Sequence, residues 1–589
     1  MECLKNKGIN KGYLLKDEDY VSPCSVPLSE HPEPSFKRSS YFCLNGEWDF
    51  ARNKNDYLPL SYEEKIRVPF AVETIDSKIN RLVSPDDYLY YHRVIDLPED
   101  FKEEKIILHF EGVDQICSVF FNHQLALTHQ GGRTPFSIEV SPSSFPLDLV
   151  LRVKDRTDAS YYTNGKQTLK PSGWKYSSSS GVYKPIWMEG VPSFHLTSLS
   201  FTEDIEHHGV RILLKANDWG RAKVTILEKD YPVEIGKETF LPLEDPLHLW
   251  SNEDPYLYSV KISFQNDTVY SYFGLRKREI KEVKGFKRLY LNGKPVFLSG
   301  LLDQGYYSTS RLTPSSYQDY LDDILKAKKR GFNCLRVHRK SEIPYFYALA
   351  DRYGRLLIQD YPCGGYRQDF LTVVLPRLFP FISRERFISP KKTGRKDKES
   401  LDLFEKERRE YIPLFHNHPS IIRETIFNEG WGEAKPSYFY NLAKKLDPKM
   451  IFDTASGWYE ADSSDVFSIH TYTIPGRRRK NRFNRLFLLS EIGGIGLKEE
   501  GFPYPKRFGH SLSKSEEELK EKRTKLYRKD VLPQIKKYGL CGVIYTQLSD
   551  CECEANGLFD FNRTHQKIDN ETRKKLNQGL YDEFNRVRR

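Results

Sequence analysis

The sequence predicts a multidomain α and β protein, with two β-sandwich modules followed by a C-terminal (β/α)8 TIM barrel. Three observations carry this. Short β-rich runs separated by Gly, Pro and Asp turns fill the first half without helical periods. After Lys281, strand-like apolar runs alternate with long helical patterns, the signature of parallel βα units. Two of those runs end in a glutamate followed by glycine, at Asn428-Glu429-Gly430 and at Glu491-Ile492-Gly493.

Residues 1 to about 40 are polar and turn-rich and read as an extended arm attached to the first module, which closes near 190. Within it, Ile106 to Phe110, Ile116 to Phe121 and Leu149 to Val153 have strand composition. A second module over 191–280, with strands expected at Val210 to Lys215, Ala222 to Glu228, Tyr258 to Phe264 and Val269 to Phe273, has the size of an immunoglobulin-like sandwich. No cysteine lies in that interval, so no disulfide staples it.

In the barrel, 281–589, strand ends are expected at Leu302, His338, Asp360, Asn428, Asp453, His470, Glu491 and Gln547. Helices are expected at Tyr317 to Lys329, Pro344 to Tyr353, Glu399 to Tyr411, Pro436 to Leu446, Ser515 to Tyr538 and Glu571 to Val587. The connection between Asp453 and Val466 is too short for a full helix. The segment from Cys363 to about Glu399 is long, rich in Pro and Lys, and follows a strand end, which makes it an elaborated loop on the active face.

Composition narrows the class of function. The net charge of +10 is spread over 91 basic and 81 acidic residues, so no block is set up to bind nucleic acid. The nine cysteines are scattered and lack paired zinc spacing, which fits reduced thiols in a cytoplasmic protein. MECLKNKGINKGYLL has no apolar targeting core and no run is long enough to span a membrane, so neither export nor a membrane partner is expected. Aromatics reach 14%, which suits both β-rich cores and sugar-stacking surfaces.

The chemistry rests on the glutamates. Retaining hydrolysis of a glycoside needs one carboxylic acid to protonate the leaving oxygen and one carboxylate to attack the anomeric carbon, roughly 5 to 5.5 Å apart. A single glutamate after a strand is ordinarily a solvated or capping residue. Glu429 and Glu491 end different strands and can face each other across a barrel mouth. Asn428 can position a sugar hydroxyl, while burial keeps the neighbouring acid protonated.

Several motifs in one order then point to a family. Leu44 to Phe50, Val68-Pro69-Phe70, Phe110 to Asp114, Gly131 to Phe136 and Gly181 to Trp187 resemble the jelly-roll sugar-binding domain of glycoside hydrolase family 2. Phe273 to Arg276 resembles the close of its immunoglobulin-like domain. Leu291 to Pro295, Leu302 to Tyr306 and Asn417 to Ile421 are similar to its barrel. The family includes β-galactosidases, β-glucuronidases and β-mannosidases. The resemblance implies Glu429 as general acid/base and Glu491 as nucleophile. It places Arg336 and His338 in support of the nucleophile and sugar. Asp303 and Asp360, at the ends of strands one and three, can each accept from two sugar hydroxyls, and His470 and Tyr472 after strand six are further sugar-contacting candidates.

Three departures bear on specificity. Ile544-Tyr545-Thr546-Gln547 stands where the family often has a tryptophan under the sugar, which assigns that work to Tyr545 or Gln547. The Asn-x-Lys signature of β-glucuronidases is not evident near Ala555 to Leu558. Gln359 to Pro362 lacks the ligands by which some β-galactosidases hold magnesium, so no metal and no cofactor are expected. The expected activity is a retaining exo-β-glycosidase acting on an oligosaccharide or glycoside, first a β-galactosidase and otherwise a β-glucuronidase or β-mannosidase. The competing class is a non-catalytic carbohydrate-binding barrel. Assembly into a homo-oligomer is compatible with the sequence. The basic run Arg477 to Lys480 reads as a solvated loop ahead of a glycan-capturing one.

Overall fold

The computed structural model describes residues 26–588 apart from 100, 102, 369–371, 373–383, 473–480, 499–503 and 505–506. The Arg477 to Lys480 run, most of the arm, and part of the 363–399 loop therefore lie outside the described residues.

The first module packs a six-stranded antiparallel sheet against a four-stranded one. Its strands alternate as a half-buried sheet requires: in Lys105–Phe110 the side chains of Ile106, Leu108 and Phe110 turn inward, where they join Trp48, Phe50, Leu149 and Val119 in one core. The second module sets Leu196–Asp204, Gly209–Ala216 and Thr239–Pro242 against a four-stranded sheet containing Tyr258–Phe264 and Asp267–Phe273. Its seven strands enclose Val210, Ile212, Val260, Ile262 and Phe264. Arg38 clamps the two sandwiches together. Its guanidinium donates to Glu189 of the first and to both oxygens of Asp267 in the second.

A hairpin, Arg278–Val283 with Phe286–Leu291, then leads into the barrel, so the change of pattern expected at Lys281 falls inside a strand. The barrel strands are β1 (Leu298–Asp303), β2 (Cys334–Val337), β3 (Leu356–Asp360), β4 (Ile421–Asn428), β5 (Phe452–Ser456), β6 (Val466–Thr471), β7 (Leu486–Gly493) and β8 (Gly542–Thr546). All neighbours pair in parallel, in the order 5-4-3-2-1-8-7-6. The wall is nearly closed. At the β5–β6 seam side chains replace a backbone ladder, with Ser468 Oγ donating to Asp453 at 3.0 Å. No helix spans 457–465, as the short connection predicts.

Helices α1 (Tyr317–Lys329), α2 (Pro344–Tyr353), α3 (Lys398–Phe415), α4 (Pro436–Leu446), α5 (Glu516–Lys525), α6 (Leu532–Tyr538) and α7 (Asn570–Arg588) cover the outside. Two expectations need correction. Asp453 is the second residue of β5 and not its end; it is held by Arg423 at 2.6 Å as part of the polar barrel interior below the mouth. The single helix expected over Ser515 to Tyr538 is divided by a π turn, Leu526–Val531. Pro533 begins the next helix, and a proline there removes an N–H and crowds the carbonyl four residues back, which widens the preceding turn.

Candidate active site

β4 delivers its acid by a sharp turn. After Asn428 the chain enters the left-handed region at Glu429 (φ 52°) and Gly430 (φ 79°), and Trp431 N–H closes the turn onto Asn428 O at 3.0 Å. A Cβ on Gly430 would lie 2.3 Å from the Tyr459 ring, so only glycine fits. Glu491 lies on β7, 4% exposed. One carboxylate oxygen of each glutamate and a ring nitrogen of His470 lie within 4.8 Å of one another. That spacing suits direct attack by one carboxylate and is shorter than the roughly 6.5 to 9.5 Å at which an attacking water is held between the two groups and the sugar.

Arg336, fully buried on β2, is the hub. Its Nε donates to both oxygens of Asp360 at 3.0 Å, Nη1 to Glu491 Oε1 at 3.2 Å and to Ser490 O at 2.9 Å, and Nη2 to Asn428 Oδ1 at 2.9 Å. Because its Oδ1 is taken, Asn428 presents its amide N–H groups as donors. Tyr472 O–H donates to Glu491 Oε2 and lies 3.3 Å from Thr546 Oγ1. His338 shares Asp360 Oδ2 through Nδ1 at 2.8 Å. Burial pushes the His338 pKa down to about 3, so the ring is neutral and its Nε2, 3.9 Å from Glu491, is an acceptor.

Charge is distributed unequally over the two glutamates. Burial raises the pKa of Glu491 and so does Glu429, but the positive charge around it, Arg336 included, outweighs them and holds it below the usual carboxylate value. An ionised Glu491 is what a nucleophile requires. Glu429 differs from expectation. Burial does push its pKa up, yet His470 Nδ1 at 2.7 Å, with Lys166 and His510 behind, brings it down to about 2. Burial alone therefore does not keep this acid protonated.

Eight candidates converge here: Glu429, Glu491, Arg336, His338, Asp360, Asn428, His470 and Tyr472. Asp360 does so with its oxygens committed. Burial raises its pKa, but Arg336 and His338 hold it far below the ordinary range, and both oxygens are spent on them instead of on sugar hydroxyls. Asp303 does not join. In the parallel register Leu302 stands beside Arg336 and shares its inward face, so Asp303 turns outward. There it accepts from Gly305 N–H at 2.9 Å, and burial with Asp323 and Glu342 raises its pKa to about 7. Tyr545 likewise faces the helical layer, beneath Arg523 and Arg573 at 4.6 and 4.5 Å, and is not placed to stack under a sugar. Gln547 is buried with its Oε1 accepting from Gln304 at 2.7 Å.

Three contributors lie outside the sequence expectation. Lys166 reaches over from the first module, its Nζ 3.5 Å from Tyr176 O–H and 3.9 Å from Glu554. His510 stacks on Tyr472 at 3.5 Å. Trp431 is covered by Lys175 and Arg339, each 4.6 Å from its ring. Trp431 stands in the Gly430-Trp431-Gly432 turn directly after the acid, whereas Lys166 and His510 have no local signature, since a lone Lys or His in a loop becomes significant only through what folding brings beside it. The Glu429, His470 and Glu491 donors are spaced closely enough to surround a cation. Arg336 and Tyr472 already donate to Glu491, however, and a cation would have to displace them.

A barrel with two apposed carboxylates at its mouth, preceded by two sandwiches, is the architecture of a glycoside hydrolase, and the comparisons agree. The model for glycosyl hydrolases family 2 matches residues 197–276 and that for the family 2 TIM barrel domain matches 281–474. The chain belongs to glycoside hydrolase family 2 and is a β-glycosidase of that family. It is 24% identical over 457 residues to a β-glucuronidase of Streptococcus agalactiae, covering 70% of this chain and 71% of that enzyme. It is also 24% identical over 357 residues to a β-galactosidase of Thermoanaerobacter pseudethanolicus, covering 54% of this chain and 46% of that one. A β-glucuronidase structure from an uncultured Clostridium superposes with a TM-score of 0.71 at 17% identity, over 92% of this chain and 99% of that one. Among the described residues no helix is long and apolar enough to cross a membrane.

Proposed function

We propose that the chain is a retaining exo-β-glycosidase in which Glu429 is the acid/base, Glu491 the nucleophile, and a β-galactoside the substrate. The approach of the two carboxylates to within 4.8 Å supports retention. Glu491 attacks the anomeric carbon as Glu429 protonates the departing oxygen; water then resolves the glycosyl-enzyme with Glu429 as base. Arg336 aims Glu491 and fixes Asn428, while His338 Nε2 offers an acceptor to a sugar hydroxyl. The proposed division of the chain at 190 and 280 leaves the barrel carrying this machinery, with Lys166 supplied by the first module.

The neutral sugar is favoured by the loop after β8. Where an Asn-x-Lys pair would grip a uronate carboxylate, Glu554 accepts from Tyr176 O–H and from Asn556 at 3.0 Å, so the chain presents a carboxylate of its own. A β-glucuronoside is the second reading, supported by the relatives named β-glucuronidase and by the Lys166 ammonium beside that carboxylate. A panel of nitrophenyl β-glycosides separates them. Turnover of the galactoside above the glucuronide is expected, and the reverse ranking rejects the galactoside. Glu491→Ala should abolish turnover, and azide should restore it to Glu429→Ala. Full activity in Glu491→Ala would reject the assigned mechanism.

A further inference from the structure

His470 sits between the two glutamates in a way that sugar binding does not explain. Its side chain is fully buried. Nδ1 lies 2.7 Å from Glu429 Oε1, and Nε2 lies 3.5 Å from Glu491 Oε1 and 3.3 Å from Ser456 Oγ. The ring is wedged against the backbone of residue 457, where a Cβ would approach it to 2.8 Å, and the Trp458 ring meets its edge at 5.5 Å. With both nitrogens committed to protein groups, the imidazole has no edge left for a hydroxyl.

We propose that His470 is the proton-storing partner of Glu429: the pair shares one exchangeable proton, held on Nδ1 in the resting enzyme and passed to Glu429 as the glycosidic bond breaks. This rests on the reading of Glu429 as acid/base. In the first half-reaction the Nδ1–H bond of the His470 imidazolium breaks, leaving a neutral ring that keeps its Nε2–H toward Ser456, and a Glu429 O–H bond forms. That proton goes to the glycosidic oxygen, which takes the electron pair of the C1–O bond, while a Glu491 oxygen bonds to C1. In the second half-reaction water bonds to C1, the Glu491 bond breaks with its pair, and the water proton returns through Glu429 to Nδ1.

The surroundings fit this division of labour. From β4 the ring faces Glu429, from β7 Glu491, from β5 Ser456, and along its own strand Tyr472. Lys166 and His510 also act on Glu429, and Arg336 acts on Glu491. The low pKa of Glu429 is what a carboxylate next to the proton's resting place should show. Departure of the leaving group removes the reason for the proton to remain on nitrogen, because the developing oxyanion is the stronger base.

The test compares wild type with His470→Asn and His470→Gln on glycosides of graded leaving groups. A dinitrophenolate leaves without protonation and an alkoxide does not. The expected result is a loss about a hundredfold greater for alkyl than for dinitrophenyl glycosides, with the alkaline limb of the pH profile displaced. Equal losses across leaving groups, or an unchanged alkaline limb, would overturn the proposal. Nitrogen-15 spectra of histidine-labelled wild type provide a readout independent of whether the variants fold: both ring nitrogens of His470 should carry protons in the resting enzyme near neutral pH, and a neutral ring in either tautomer is equally fatal. If Glu429→Ala lacks leaving-group dependence and azide rescue, the acid/base assignment has failed instead.

Discussion

Removing the Arg336 guanidinium tests how the barrel mouth is held together. Arg336 is fully buried and meets two carboxylates, an amide oxygen and a backbone carbonyl. In Arg336→Met, Asp360 keeps only His338 and Glu491 keeps Tyr472, so charge is left in a medium that solvates it poorly. Breaking one buried pair costs about 3 to 5 kcal/mol, and with two carboxylates exposed to the loss the upper end is expected. Urea unfolding should show a reduced midpoint at unchanged slope. Arg336→Lys keeps the charge, but one ammonium cannot span Asp360, Glu491 and Asn428 together. It should therefore recover part of the stability while turnover of an aryl glycoside stays down by about a hundredfold, the scale of misplacing a reacting group. A loss below about 1 kcal/mol in Arg336→Met, the range of exposed pairs, would refute the reasoning.

Other perturbations follow from the same contacts. Tyr472→Phe removes the donor to Glu491 Oε2, so kcat/KM should fall about tenfold, equivalent to roughly 1.4 kcal/mol, and the acid limb of the pH profile should move upward as Glu491 loses a partner of its ionised form. Gly430→Ala must place a methyl against the Tyr459 ring in a left-handed turn; about 1 to 3 kcal/mol of stability and most of the activity should go with it. Glu189 is buried, which raises its pKa, but His109 and Arg38 bring it from 4.5 down to about 2. Its folded pKa is thus depressed, so its stabilisation is complete above about pH 4.5 and is lost as pH falls toward 2. Integrated, that is about 3 kcal/mol, and Glu189→Gln should flatten acid unfolding measured by circular dichroism over that window.

The barrel was legible in the sequence wherever periodicity and local signals agreed. Helices α1, α2 and α4 begin and end at the expected residues, because Ser316 caps the first, and prolines at 344 and 436 start the others. The division of the Ser515 to Tyr538 helix was harder to see, since one proline shifts a hydrogen-bond register without breaking the helical pattern. Within the site, side chains that share the inward face of neighbouring strands could be grouped from strand ends alone, as Arg336, Asp360 and Asn428 show. Asp303 and Tyr545 could not, because a shift of one residue along a strand reverses the face, and only the pairing of Leu302 with Arg336 and Leu301 with Tyr545 fixes which face is inside. The low pKa of Glu429 was also invisible, since it depends on His470, which follows 41 residues later in the chain. Lys166 comes from a turn in a different module altogether.

The central claim is that two carboxylates act by double displacement, and the stereochemistry of the first product tests it most directly. Proton NMR during cleavage of an aryl β-glycoside should show the β-anomer of the released sugar accumulating before mutarotation. Initial appearance of the α-anomer would mean that a water, and not Glu491, attacks the anomeric carbon.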